Sequence, residues 1–267
     1  PLAWNGNLAD SARAHNLAMI AADTQSHQLP GEADLGARAI TAGYTDWRGL
    51  GENIYAYSKS VIFGHAGFMV DWGNGPDGIQ TGVGHRVNIM RSSFSEVGIG
   101  VTLESNAATS VGPQLVTQDF GSRGKTFLLG VAYQDIDFDN FYTPGEGLAG
   151  LSVQIGGATI QSTAGGGYAF EITGRTGVVI AFRGARLSAS ARVTIADFGE
   201  NVKADIVDGD TLRISTSATV NGFANIKVIT LDGVTLTAGA GIQKIFGNAG
   251  NDTLDGGANV DTAVVSG

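Results

Sequence analysis

The chain has 267 residues, of which 15% are charged, and a formal net charge of −9. Clustered Lys and Arg, which a protein needs to neutralise phosphates, are absent, so nucleic acid is excluded as a partner and the acidic balance suits calcium. With no cysteine, disulfides, zinc–thiolate sites and a cysteine nucleophile are excluded together. No apolar run approaches the roughly 20 residues that cross a bilayer, and 41 glycines point to several turn-rich β modules rather than one compact enzyme. Opening at Pro1 with no signal-peptide pattern, the sequence reads as a fragment excised from a longer chain.

Leu8, Ala12, His15 and Met19 share one face of an amphipathic helix that ends before Gln25-Ser26-His27, which makes His15 a packed helix residue. A second helix is predicted from about Ser60 to Trp72, stopping at Gly73, with a Gly- and Pro-containing loop to Gly84 and a short helix opened by His85. Strands follow over Ser95 to Leu103 and Gln114 to Phe120, with Asn106 to Gly112 as a turn-rich connection. Helices flanking such a sheet give an α-β-α sandwich. Beyond Gly121 to Gly124 histidine disappears and the sequence becomes β-branched and glycine-spaced, so the chain is expected to be α+β, with domains at residues 1–123, 124–187 and 188–267.

From Thr126 to Arg186, short apolar runs between Gly-rich turns predict a small sandwich. Leu187 to Thr237 is alternating β-type sequence, including Ile226 to Leu231, that either starts a roll or forms its own sandwich. The last region repeats every nine residues, as Ala238 to Phe246, Gly247 to Asp255 and Gly256 to Val264, with Ile245, Leu254 and Ala263 predicted to point inward.

Asp135-Ile136-Asp137-Phe138-Asp139-Asn140-Phe141-Tyr142-Thr143-Pro144-Gly145-Glu146 spaces oxygen donors as an EF-hand loop does. Asp135, Asp137 and Asp139 would give carboxylates, Phe141 a backbone carbonyl, Thr143 the ninth position and Glu146 the twelfth. Asn140 stands where the loop usually has glycine, and Asn tolerates the left-handed conformation of a sharp bend. The bland alternative is a solvated acidic turn, but three alternating aspartates repel one another unless a cation sits among them.

Ser26-His27, Gly51-Glu52-Asn53-Ile54, Trp72 and Gly84-His85-Arg86-Val87-Asn88-Ile89-Met90 follow one another in an order that resembles the CAP superfamily in its bacterial form. Leu2-Ala3-Trp4, Ala42-Gly43-Tyr44, Val97 to Val101 and Thr117-Gln118-Asp119-Phe120 extend the likeness over the first half of the chain. The resemblance implies a cleft in which His27, Glu52 and His85 converge as a first shell for zinc or another divalent ion. The competing reading is a hydrogen-bonded polar cluster in which Glu52 fixes the ring of a histidine. Family members with the full cluster carry a second glutamate before Gly-His. Ser60 to Trp72 has none; Asp71 is the nearest acid, and His65 on the same helix is a further candidate for the cavity.

Gly130 to Asp135, Gly145 to Gly150 and Gly165 to Tyr168 resemble the prealbumin-like B modules of bacterial surface proteins. Gly247 to Asp255 resembles the repeats-in-toxin nonapeptide. That likeness implies calcium ligands at Asp252 and Asp261, with carbonyls from Gly247, Ala249, Gly256 and Ala258, and a roll that continues beyond Gly267.

Together these readings describe a secreted or surface-exposed bacterial protein, exported by type I secretion, whose CAP cavity binds a divalent metal or small ligand and whose β modules bind calcium. A metal-assisted hydrolase of peptide or cell-wall substrates, with Glu52 as general base and His85 or the ion at the oxyanion, is the first alternative. A lipid- or sterol-binding module is the second. Ser26 beside His27 lacks any nucleophile elbow and is not read as catalytic. Partners are accordingly calcium ions and a lipid, peptide or cell-surface ligand.

Overall fold

Asn5 is extended and its side chain accepts the N–H of Leu8 at 3.2 Å, which starts the first helix. The fold is taken from a computed structural model that describes residues 1–230, 233–241 and 243–265. It separates into two compact units, Leu2–Lys125 and the chain from Thr126 onward.

The first unit runs β1 (Ala3–Trp4), α1 (Gly6–Ala22), α2 (Leu35–Thr41), β2 (Gly49–Ser58), α3 (Val61–Val70), a 3-10 turn (Pro76–Gly78), α4 (Gly84–Met90), β3 (Glu96–Leu103) and β4 (Gln114–Ser122). Its sheet has the order β1-β3-β4-β2. Leu8, Ala12, His15 and Met19 are all fully buried on α1, as their spacing predicts. Ser60 caps α3 through the N–H of Phe63 at 3.1 Å, and α3 ends at Asp71, whose φ of 66° breaks the helix.

β4 is buried from Leu115 to Gly121, on both faces of the pleat. A strand with period two can be buried throughout only if each face is covered. On one face Thr117 donates to Asn16 Oδ1 of α1 at 2.7 Å, and Asn16 also donates to the Leu115 carbonyl. On the other, Val116 meets Gly64 of α3, and Phe120 stacks on Phe94 with ring centroids 5.7 Å apart. The result is the expected α-β-α layering. Gly98 explains how closely α1 rides on β3, because a Cβ there would lie 2.0 Å from the amide nitrogen of Ala9. With no disulfide, the layers are held by packing of Met19, Leu29, Ile54, Ala56, Val111 and Leu115.

Among its described residues the second unit has strands and no helix: β5 (Thr126–Tyr133), β6 (Ser152–Ile155), β7 (Ala158–Gln161), β8 (Gly167–Ile172), β9 (Thr176–Arg183), β10 (Ala191–Asp197), β11 (Val202–Val207), β12 (Thr211–Ile214), β13 (Ala218–Asn221), β14 (Asn225–Val228), β15 (Thr235–Ala238), β16 (Lys244–Phe246), β17 (Thr253–Asp255) and β18 (Thr262–Val264). They form two sheets, β17-β15-β13-β10-β9-β6-β7 and β18-β16-β14-β12-β11-β5-β8.

The division expected between residues 187 and 188 falls inside both sheets, since β9 pairs with β10 and β5 with β11 across it. One core holds Leu128 and Phe182 together with Ile206, Ile226 and Ile245. Short strands that each leave an apolar face bare gain more by sharing one core than by closing two small ones. The stretch whose role the sequence left open thus supplies strands β10 to β14, which lead into the repeats; Leu231 lies outside the described residues.

The nine-residue period becomes half a coil. β15, β16, β17 and β18 begin at Thr235, Lys244, Thr253 and Thr262 and alternate between the two sheets. Parallel pairing joins residues eighteen apart, Thr235 with Thr253 and Lys244 with Thr262. Ile245 is buried and Leu254 packs on the core, as expected. Ala263, expected inward, is exposed. It lies on β18, the last strand of its sheet, with no strand stacked beyond it among the described residues.

Candidate functional site

Alternation along β2 sends Glu52 towards α1 and α2 and sends Asn53 to the opposite face, where its Nδ2 donates to Gln118 Oε1 at 3.1 Å and to the His85 carbonyl at 3.2 Å. The loop after α1 brings His27 over Glu52, and α4 presents His85 beside them. His27, Glu52, His85, Gln80, Asn88 and Arg91 line one cleft of about 330 Å³.

Each of the two cleft histidines is held by a carboxylate behind it. His27 Nδ1 is 2.8 Å from Glu52 Oε1, and His85 Nδ1 is 2.7 Å from Asp71 Oδ1. A carboxylate only accepts, so Nδ1 carries the proton in both pairs, and in the neutral form of the ring Nε2 is then the acceptor. Neither Nε2 makes a hydrogen bond among the described residues. Asp71 is fully buried, and its second oxygen accepts the Arg86 amide at 3.1 Å. The Arg86 side chain in turn donates to the carbonyls of Met69 and Val70, satisfying the open end of α3.

Glu52 is committed on both sides, since its Oε2 accepts Arg38 Nη2 at 2.7 Å. Burial disfavours its charge, but the His27 hydrogen bond and the nearby Arg38 and His15 outweigh that, and its pKa falls below the ordinary carboxylate value. A carboxylate so placed is a weak general base, and each of its oxygens already accepts a hydrogen bond. His15, buried on α1, sits behind this pair with Nδ1 2.7 Å from Glu32 Oε1 and Nε2 3.0 Å from the Ser26 carbonyl.

Asp119 faces Glu52 in the register of β2 and β4 and is fully buried. Burial and the charge of Glu52, partly offset by Ser11 and Arg38, push its pKa up to about 8, so it carries a proton at neutral pH.

In the second unit the loop between β5 and β6 is bent by its own side chains. Asn140 N donates to Asp135 Oδ2 at 3.1 Å, Phe141 N to Asp139 Oδ1 at 2.7 Å, and Asn140 takes a φ of 65°. Asp135, Asp137 and Asp139 bring carboxylate oxygens within 4.8 Å of one another. Glu146 lies outside that group: it is buried, with Oε1 accepting the Ile136 amide and Oε2 the Thr143 amide, and so clasps the two ends of the loop.

Asp252 and Asp261 tie successive coils. Asp252 Oδ1 accepts the Val234 amide at 3.2 Å and Asp261 Oδ1 the Gln243 amide at 2.8 Å, each from a residue eighteen positions back. Asp252 Oδ2 also accepts the Asn248 amide within the turn from Gly247 to Gly250. These two carboxylates do not gather into a group with a third among the described residues; Gly247, Ala249, Gly256 and Ala258 lie in the turns beside them.

The Cysteine-rich secretory protein family, CAP, matches residues 1–120. Residues 1–120 carry a CAP domain. A crystal structure of an extracellular protein containing a SCP domain from Bacillus anthracis str. Ames is 26% identical, with a TM-score of 0.35, over 45% of this chain and 33% of that one. The match thus spans about a third of that protein's length. No curated protein sequence matches the chain.

The CAP domain brings His27, Glu52 and His85 to one cleft, but not as three equal ligands. Glu52 stands behind His27, and the three do not come within 4.8 Å of one another as a ligand group; among the described residues only the Asp135, Asp137 and Asp139 set does. Two imidazoles alone are fewer than the three or four protein ligands usual for a zinc site. His65 stays out of the cleft, its Nδ1 3.3 Å from Gln118 Nε2, and Ser26 spends its hydroxyl on the Gln28 carbonyl at 2.8 Å. Sequence reading named Asp71 only as the nearest acid, quoted Asp119 only within a family motif with no role of its own, and missed Arg38 altogether. Asp119 had one legible signal, its place on an alternating strand, but its partner is sixty-seven residues away and is set by register alone.

Proposed function

We propose that this chain is an extracellular bacterial binding protein whose CAP-domain cleft takes a small ligand between His27 and His85. The observation that carries the reading is that both imidazoles in one cleft have Nδ1 held by a carboxylate and Nε2 unbonded among the described residues. Rings fixed in that tautomer are pre-organised to accept a hydrogen bond from a ligand. The β unit serves as a calcium-stabilised carrier, with the ion among Asp135, Asp137 and Asp139 and the carbonyl of Phe141. Calcium that binds only the folded loop adds its binding energy to folding, which favours a unit that folds after export, as in type I secretion. No helix among the described residues is long and apolar enough to cross a membrane.

Calorimetric titration of calcium and then zinc into chelator-cleaned protein tests both halves. Calcium binding in the wild type that disappears in Asp137→Asn supports the carrier role. Zinc is expected to bind no tighter than in His85→Ala. A stoichiometric zinc site lost in that variant would overturn the metal-free reading of the cleft and restore metal-assisted hydrolysis as the leading activity.

A further inference from the structure

The cleft does not stop at His85. A second hollow of about 370 Å³ shares His85 and Gln80 with the first, and its walls are the rings of Tyr55, Tyr57, Phe68 and Trp72. β2 supplies the two tyrosines, α3 supplies Phe68, and Trp72 follows the turn at Asp71 that also holds His85. Trp72 is clamped in place: its ring lies 4.8 Å centroid to centroid from Phe63 and directly against Gly67, where a Cβ would be 3.0 Å away. Yet Trp72 is 38% exposed and Tyr57 44% exposed. Rigid aromatic faces left half in water beside a cavity are suited to a ligand with an apolar face of its own.

The rest of the lining narrows the chemistry. Among the described residues no Asp, Glu, Lys or Arg borders this hollow, so a charged ligand would find no partner there. Amides stand at its rim instead. Asn74 has no hydrogen bond among the described residues, and Gln80 spends only its Nε2, on the Trp72 carbonyl at 2.9 Å. A hydrocarbon ligand would bury these amides without partners, which is costly. A pyranose ring offers a C–H face to the aromatics and hydroxyls to the amides at once.

We propose that the hollow formed by Tyr55, Tyr57, Phe68 and Trp72 is a subsite for a neutral saccharide, placing a sugar hydroxyl beside Nε2 of His85. This rests on the reading of the histidine cleft as a binding site and names the class of ligand that site receives.

The test is calorimetry on the full chain in calcium with chitotriose, cellotriose and maltotriose as probes, beside Tyr57→Ala, Trp72→Ala, Trp72→Phe and His27→Asn, each checked for an unchanged thermal midpoint. At least one trisaccharide is expected to bind, at least tenfold more weakly in Tyr57→Ala and Trp72→Ala, with Trp72→Phe restoring much of the affinity. Binding that is lost in these variants but untouched in His27→Asn keeps the subsite and sinks the histidine cleft as its partner. Binding indifferent to Tyr57 and Trp72 but lost in His27→Asn overturns the subsite and leaves the cleft reading standing. No saccharide binding at millimolar concentration, or uptake of cholesterol from phosphatidylcholine vesicles that Tyr57→Ala abolishes, overturns the saccharide assignment. Should Trp72→Ala fail to fold, Tyr57→Ala decides alone, because among the described residues Tyr57 makes no side-chain hydrogen bond that its loss would break.

Discussion

His85 Nδ1 lies 2.7 Å from Oδ1 of Asp71, a fully buried carboxylate in the left-handed conformation that ends α3. One residue therefore stops a helix, orients a cleft imidazole and accepts the amide of Arg86. Asp71→Ala should lower stability by about 2–4 kcal/mol, from two lost hydrogen bonds to a charged acceptor and a β-carbon held at positive φ. Asp71→Asn, which tolerates that φ, should lose less. Thermal unfolding of the two variants checks the order; equal midpoints for Asp71→Ala and the wild type would remove Asp71 from this role.

Glu52 and Asp119 titrate in opposite directions across one strand pair. Asp119 holds its proton in the folded protein up to about pH 8, whereas its ordinary pKa is 3.8. The folded state thus binds more protons between those values, and stability falls as pH rises through that window. Glu52, with its pKa lowered, adds stability above the ordinary carboxylate range and loses it as pH falls. Between about pH 5 and about pH 8 the Asp119 effect is alone of the two. Asp119→Asn should flatten the decline in thermal midpoint across that range, and an undiminished slope would show that Asp119 ionises normally.

Calcium removal should destabilise the second unit. At free calcium about 100-fold above Kd, the ion adds roughly 2.7 kcal/mol to a fold that binds it only when native. Scanning calorimetry with and without a chelator should show a shift in the wild type and none in Asp137→Asn. An equal shift in both would move the calcium-sensitive site away from the Asp135 to Glu146 loop.

Gly98 is a point of no clearance, with Ala9 N 2.0 Å from where a β-carbon would stand. Gly98→Ala forces α1 off β3 and should cost more than about 3 kcal/mol, well beyond an ordinary surface change. Gly6, where nothing lies within 4 Å, is the control: Gly6→Ala should leave the midpoint nearly unchanged or raise it slightly.

Much of this molecule is written locally. Asn5 and Ser60 cap helices through their own side chains, the buried face of α1 follows the spacing of Leu8, Ala12, His15 and Met19, and the nine-residue repeat sets where β15 to β18 begin. Each rests on interactions within a few residues or on a strict period, so composition and spacing suffice. The bends of the Asp135 to Glu146 loop belong to the same class, because Asn140 and Asp135 bond within one turn of chain.

What the tertiary structure alone decided is where the polar side chains spend their oxygens. Glu52 was legible as a cleft residue, but not that Arg38 takes its second oxygen, nor that strand register sets it against Asp119. Glu146 was legible as the twelfth residue of a loop, but not that two backbone amides occupy it. The shared sheets across residues 187 and 188 were hidden for the same reason. Pairings between distant segments are selected by how whole layers pack and by which buried polar groups must be satisfied. No short stretch of sequence carries that choice by itself.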